Sequence, residues 1–130
     1  MDYTNNSNEI LIAEHERFLL RVLTRGLNQP DRRIVAISSG EEILQRLRAT
    51  PPAVLIVDTG ISPMGGEELC RRIQTEMPER AFLTCVLTDC AEDEYGNYAE
   101  WFANFRMLEK PVSVGRLRRF IDDHLIDNAA

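Results

Sequence analysis

The sequence predicts an α/β domain: a doubly wound, five-stranded parallel sheet with five helices on its two faces. Three observations carry the prediction. Short apolar runs that stop at a charged or hydroxyl residue recur five times along the chain. Segments with helical spacing of apolar residues separate them, and strict alternation of this kind implies parallel strands joined by right-handed crossovers. One run, residues 53–57, is apolar without a break between Pro51-Pro52 and Asp58. A run like that is expected of a central strand buried on both faces.

Taken in order, residues 1–8 are polar and Asn-rich and read as a flexible leader. The domain is expected over residues 9–126, with residues 127–130 as a short tail. Residues 10–13 form the first strand and end at Glu14-His15-Glu16. Phe18, Leu19, Val22 and Leu23 recur at helical spacing, predicting a helix over residues 17–27 that fades at Gly26 and Pro30. Residues 33–37 form a weaker strand. Ser39 with Glu42 three residues on fits a capping box, and the helix that follows turns Ile43, Leu44 and Leu47 inward. Pro51-Pro52 ends it, because proline cannot continue a helix.

After the central strand, Gly60, Pro63, Gly65 and Gly66 make a loop. Glu67 and Glu68 open the next helix, where the helix dipole favours acids. That helix buries Leu69, Cys70 and Ile73 and stops before Pro78. Residues 81–87 form another buried strand, ending at Thr88-Asp89. A helix is predicted over residues 91–102, with Glu92, Asp93 and Glu94 in its first turn and Gly96 as its weak point. Residues 105–108 form the last strand, ending at Glu109-Lys110-Pro111. Ser113 can cap a final helix that buries Val114, Leu117, Phe120, Ile121 and Leu125.

The 130 residues suit one domain with one core. A net charge of −6 opposes nucleic-acid binding by bulk electrostatics. Cys70, Cys85 and Cys90 lie in or beside apolar segments with no Cys-x-x-Cys pair, so they read as reduced core cysteines of a cytoplasmic protein. No apolar run reaches membrane-spanning length, and the polar start is not a signal peptide.

In a parallel sheet every strand ends at the same edge. Glu14, His15, Asp58, Thr88 and Lys110 therefore gather into one shallow site. Alone, Asp58 would serve equally well as a strand-end turn residue. Together, a carboxylate nucleophile, a second acid for a divalent cation, a hydroxyl and an ammonium suit phosphoryl chemistry. Trp101 and Tyr98 read as packing or surface residues, and Arg116 and Arg119 as a solvated face of the last helix.

This ordered set at the strand ends, with Pro63, Met64 and Gly66 after Asp58 and Pro111 after Lys110, resembles the receiver domain of two-component response regulators. The resemblance covers about residues 9–125. It implies the flavodoxin-like strand order 2-1-3-4-5. It implies that Asp58 is the phosphoacceptor, served by a sensor histidine kinase or phosphotransfer protein. Lys110 would contact the phosphoryl group, with the bond to Pro111 usually cis in the family, and Thr88 would report the group's presence. Magnesium would be held by Asp58, the Gly60 carbonyl and Glu14, the last mainly through water. Downstream, the family implies a protein partner or a fused output domain, and partner or dimer contacts through the last helices. It implies no enzyme turnover of an external substrate, no direct nucleic-acid contact and no membrane.

Three positions depart from the family pattern. His15 stands where a second acid ligates magnesium, and imidazole is a poor ligand for so hard an ion, which shifts the expectation toward weaker binding or manganese. Asp89 replaces a small residue and should repel an incoming phosphodonor. Met107 replaces the switch aromatic and should give a softer two-state response. These departures define the competing reading, a degenerate receiver that binds a partner without phosphorylation. An aspartate-nucleophile phosphatase would need a second acid where Gly60 stands. No Gly-x-Gly-x-x-Gly or Gly-Lys-Ser/Thr loop serves a nucleotide, and no hydroxyl-rich loop follows the first strand for a flavin.

Overall fold

A computed structural model describes residues 6–60, 64–89 and 104–127. Its five strands are β1 (Asn6–Ala13), β2 (Arg33–Ile37), β3 (Pro52–Asp58), β4 (Leu83–Thr88) and β5 (Phe105–Glu109). They pair in the order β2-β1-β3-β4-β5, every pair parallel. Four helices stand among the described residues: α1 (Arg17–Leu27), α2 (Gly40–Ala49), α3 (Gly66–Glu76) and α4 (Val114–Asp127). The helix expected over residues 91–102, with Gly96, Tyr98 and Trp101, lies outside the described residues, as do Cys90 and Pro63.

β1 begins at Asn6, inside the stretch whose composition suggested a leader, and Asn6 pairs with Pro52 across a register irregularity. Ladder pairing is a backbone property and can extend past the apolar run, which marks only the part of a strand covered by helices.

Alternate residues of the central strands feed two separate interiors. Leu11, Ala13, Leu55 and Val57 pack with Ile43, Leu44, Leu47, Leu69 and Ile73 beneath α2 and α3. Ile10, Ile12, Val54 and Ile56 pack with Leu23, Leu27, Leu117 and Ile121 beneath α1 and α4. Cys70 and Cys85 are free and buried, one in each interior. Burial pushes the Cys85 thiol up to about 12 and the Cys70 thiol higher still, so both are inert packing groups.

Only one of the two apolar rows of α1 meets the sheet. Leu19, Leu20, Leu23 and Leu27 turn inward, while Phe18 is 73% exposed and Val22 36% exposed. The helix carries two apolar stripes, and spacing alone does not say which one meets the sheet. In α4, Leu117 and Ile121 are buried, Val114, Phe120 and Leu125 pack at the margin, and Ile126 is exposed.

The helix starts follow local chemistry. Ser39 Oγ accepts from the Glu42 N–H and Ser113 Oγ from the Arg116 N–H, as the sequence predicts. α3 starts at Gly65, with φ of 86° and no side-chain cap. A Cβ on Gly66 would lie 2.6 Å from Thr59 Cα and 2.9 Å from the Asp58 carbonyl oxygen, so only glycine lets α3 close onto the end of β3. A Cβ on Gly26 would meet Val114 Cγ1 at 2.2 Å, so the same economy seats α4 against α1. No helix among the described residues is long and apolar enough to cross a membrane.

Candidate functional site

Sheet register builds the site. Ala13 pairs with Val57, so one further step along both strands sets Glu14 beside Asp58. Asp58 pairs with Leu87, Thr88 follows, and Thr88 pairs with Glu109, after which comes Lys110. The ladder continues past the strand ends: the Thr59 N–H donates to the Leu87 carbonyl at 3.0 Å and the Lys110 N–H to the Thr88 carbonyl at 2.8 Å. The peptide bond between Lys110 and Pro111 is cis.

Asp58 is the hub. Its carboxylate accepts from Lys110 Nζ at 2.5 Å on one oxygen and from the Gly60 N–H at 2.7 Å on the other. Asp58 and Thr88 are both buried. Burial pushes the Asp58 carboxyl up, but hydrogen bonding with Glu14, Lys110 and the Gly60 N–H outweighs it and holds the pKa below the ordinary aspartate value. Burial also works against the Lys110 charge. The bond to Asp58, with lesser pulls from Asp89 and Glu14, raises its pKa regardless. Asp58 is therefore ionised, Lys110 is a cation, and the two are in contact.

Glu14 is fully buried. One of its oxygens accepts the backbone N–H of His15 at 2.9 Å and of Glu16 at 3.0 Å. Its other oxygen has no donor among the described residues. Burial first, then its hydrogen bond to Asp58 and repulsion by Asp58, push the Glu14 carboxyl up to about 7, against the backbone N–H groups that pull it down. Two apposed acids thus share a proton at low pH and repel each other at high pH. A buried carboxylate oxygen without a donor, next to a second carboxylate, fits a hard divalent cation better than it fits the bare protein.

The groups around this pair of acids behave differently. The His15 side chain is 50% exposed, with Nδ1 3.5 Å from Glu14 Oε1. Among the described residues no three His, Cys, Asp or Glu side chains form a metal-ligand cluster, so His15 does not complete a set with the two acids. Glu16 is occupied as the N-cap of α1, accepting from the Phe18 N–H at 2.9 Å and the Leu19 N–H at 2.7 Å. Sequence reading missed that role, although a polar side chain directly before the first helical turn was the available signal. Gly60 serves the site through its N–H, a second contact not foreseen. Asp89 is exposed at the rim and adds its field to Lys110. Met107 is half-buried and packs against the interior beneath α2 and α3.

Comparison with known proteins bears on the family and the fold. Residues 10–122 match the sequence profile described as response regulator receiver domain. No curated protein matches at a comparable level. Among solved structures, the signal receiver domain of a signal transduction histidine kinase from Syntrophus aciditrophicus is similar at 23% identity and a TM-score of 0.80, covering 94% of this chain and 92% of its own. The phosphorylated cyanobacterial phytochrome response regulator RcpA is similar at 18% identity and a TM-score of 0.76, covering 95% and 96%. The Mn2+-bound form of response regulator Rcp1 is similar at 18% identity and a TM-score of 0.72, covering 89% and 90%. At these identities the structural likeness bears on the fold.

Proposed function

The chain belongs to the response regulator receiver family, and from that premise we propose that it is a phosphoacceptor: Asp58 takes a phosphoryl group from a phosphohistidine on a sensor histidine kinase or phosphotransfer protein. The observation that carries the reading is the buried, ionised Asp58 clasped by Lys110 at 2.5 Å at the carboxyl edge of the sheet.

In the transfer, an Asp58 carboxylate oxygen attacks phosphorus and the P–N bond breaks. Its electron pair stays on the leaving imidazole, which takes up a proton, and an acyl phosphate remains on Asp58. Lys110 supplies positive charge where the phosphoryl oxygens arrive, and the Gly60 N–H holds the carboxylate in plane. Asp58, Glu14 and the Gly60 carbonyl would hold magnesium, or manganese given His15, and the bound ion would supply further charge against the phosphoryl oxygens. The Thr88 hydroxyl would turn toward the new group. The added charge would reshape the surface toward α4, where a downstream partner, a fused output domain or a second copy would sense it. The protein assists only its own phosphorylation and dephosphorylation, and we place it in the cytoplasm.

Intact-mass measurement after incubation with a small phosphodonor tests this, with magnesium and then manganese. One phosphoryl adduct is expected, and Asp58→Asn should lack it. A second reading is favoured by His15, which stands outside the pair of acids: the domain would bind its partner without phosphorylation. No adduct with either ion, with partner binding intact, would select that reading.

A further inference from the structure

One row of α4 is fastened to the chain that leaves α1. Val114, Arg118 and Asp122 lie four residues apart along it. Val114 packs directly over Gly26, where a Cβ would lie 2.2 Å from the valine Cγ1. Arg118 donates to the Gly26 carbonyl through Nε at 2.9 Å and also through Nη2. That carbonyl sits in the last turn of α1, where helix carbonyls lack an intrahelical donor. Asp122 takes the buried guanidinium of Arg32.

This fastening stands one short connection from the site. Only residues 111–113 separate Lys110 from Val114, the first residue of α4, and the span is tied along its length. The Lys110 N–H donates to the Thr88 carbonyl at 2.8 Å. Val112 packs against the interior beneath α1 and α4. Ser113 caps α4, accepting from the Arg116 N–H at 3.2 Å. A displaced Val114 must carry the Lys110 end with it or break one of these ties.

We propose that Gly26 and Val114 are positioning residues for phosphoryl transfer: the bare glycine sets where α4 begins, and through residues 111–113 that sets where Lys110 meets Asp58. The proposal rests on the phosphoacceptor reading and extends its alignment to the seam between α1 and α4. Both residues act only through Lys110. Apolar carbons stand about 3.5–4.0 Å apart, so a methyl on Gly26 has to move Val114 by more than about 1 Å. A shift of that size far from the reacting atoms can cost about a hundredfold in rate, and with part of it absorbed along the connection about tenfold is expected.

The test follows the initial rate of Asp58 labelling by acetyl phosphate with magnesium, in the whole chain. Gly26→Ala should slow labelling by about tenfold and move the amide resonances of Lys110 and Thr88. Val114→Ala removes the two methyl carbons that the new side chain meets. Combining it with Gly26→Ala should therefore bring the rate back to within about threefold of the parent and return both resonances. Gly115→Ala, on the same helix, places its Cβ where nothing lies within 4 Å and should label as the parent does. Urea denaturation of each variant separates stability from alignment, since a purely structural role would lower the unfolding midpoint and leave the rate of the folded protein unchanged.

The proposal falls if folded Gly26→Ala labels at the parent rate, if Val114→Ala does not rescue it, or if the Lys110 and Thr88 resonances stay in place. Should Gly26→Ala not fold, Val114→Ile presses the same seat with one more methylene and should slow labelling in the same direction, and an unchanged rate there would overturn the proposal. If the parent itself takes no label, the phosphoacceptor reading fails, and the two resonances alone decide the coupling.

Discussion

β1 buries one glutamate within it and another just past its carboxyl end, and the two are handled in opposite ways. Glu9, inside the strand, meets Arg46 of α2 at 2.5 Å. Glu14, past the carboxyl end, meets another acid, Asp58, in place of a cation. A buried charge with its countercharge is part of the scaffold. A buried charge set against its like carries a cost that a folded protein keeps only where something is bound or reacted. The contrast separates structure from site within one strand, without reference to any relative.

The largest expected effect comes from breaking the compensated end. Arg46→Met leaves Glu9 buried without its guanidinium and should cost about 3 kcal/mol of unfolding free energy, measured by urea denaturation. The site, at the far end of the strand, should still accept a phosphoryl group.

Relieving the uncompensated end should do the reverse. The Glu14 pKa is raised in the folded protein, so the native state binds the extra proton more tightly than the unfolded chain between the ordinary value of 4.5 and about 7. Stability contributed by this group is present below that window and is lost as pH rises through it. Glu14→Gln should therefore match the parent protein near about pH 5 and exceed it by about 1–2 kcal/mol near about pH 8. Magnesium or manganese should raise the parent's unfolding midpoint most at the higher pH, where Glu14 is free of its proton, and should have little effect on Glu14→Gln. Equal stabilisation of both proteins at both pH values would remove Glu14 from the ion's surroundings.

The smallest effect belongs to charges that are neither buried nor opposed. Arg48 and Glu76 join α2 to α3 in the open. Arg48→Ala should cost no more than about 0.5 kcal/mol by the same denaturation measurement, and high salt should erase the difference.

Much of this was legible in the residues. A strand that stops at Asp58, another that stops at Thr88 and a third that stops before Lys110 must end at one edge once the sheet is parallel, and the structure joins Asp58 to Lys110 directly. What sequence could not show was pairing at the level of single side chains. Glu9 borders an apolar run in the sequence, and only the folded chain brings Arg46 of α2 to it. The buried face of α1 was not legible because Phe18-Val22 and Leu19-Leu23 have the same spacing, and burial depends on which stripe the preceding turn aims at the sheet. That turn is set by Glu14 and Glu16, whose carboxylates bind backbone N–H groups at the start of the helix. Glutamate is an uncommon choice there, so the signal was weak.

The alternation that sends Val54 and Ile56 to one interior and Leu55 and Val57 to the other has a consequence for how this chain can change. Losing or gaining a single residue inside β3 would exchange the two sets, and the same slip would turn the Asp58 side chain away from Glu14. The count of residues between Pro52 and Asp58 is therefore under the same constraint as the aspartate itself. Insertions should survive before the double proline and not after it.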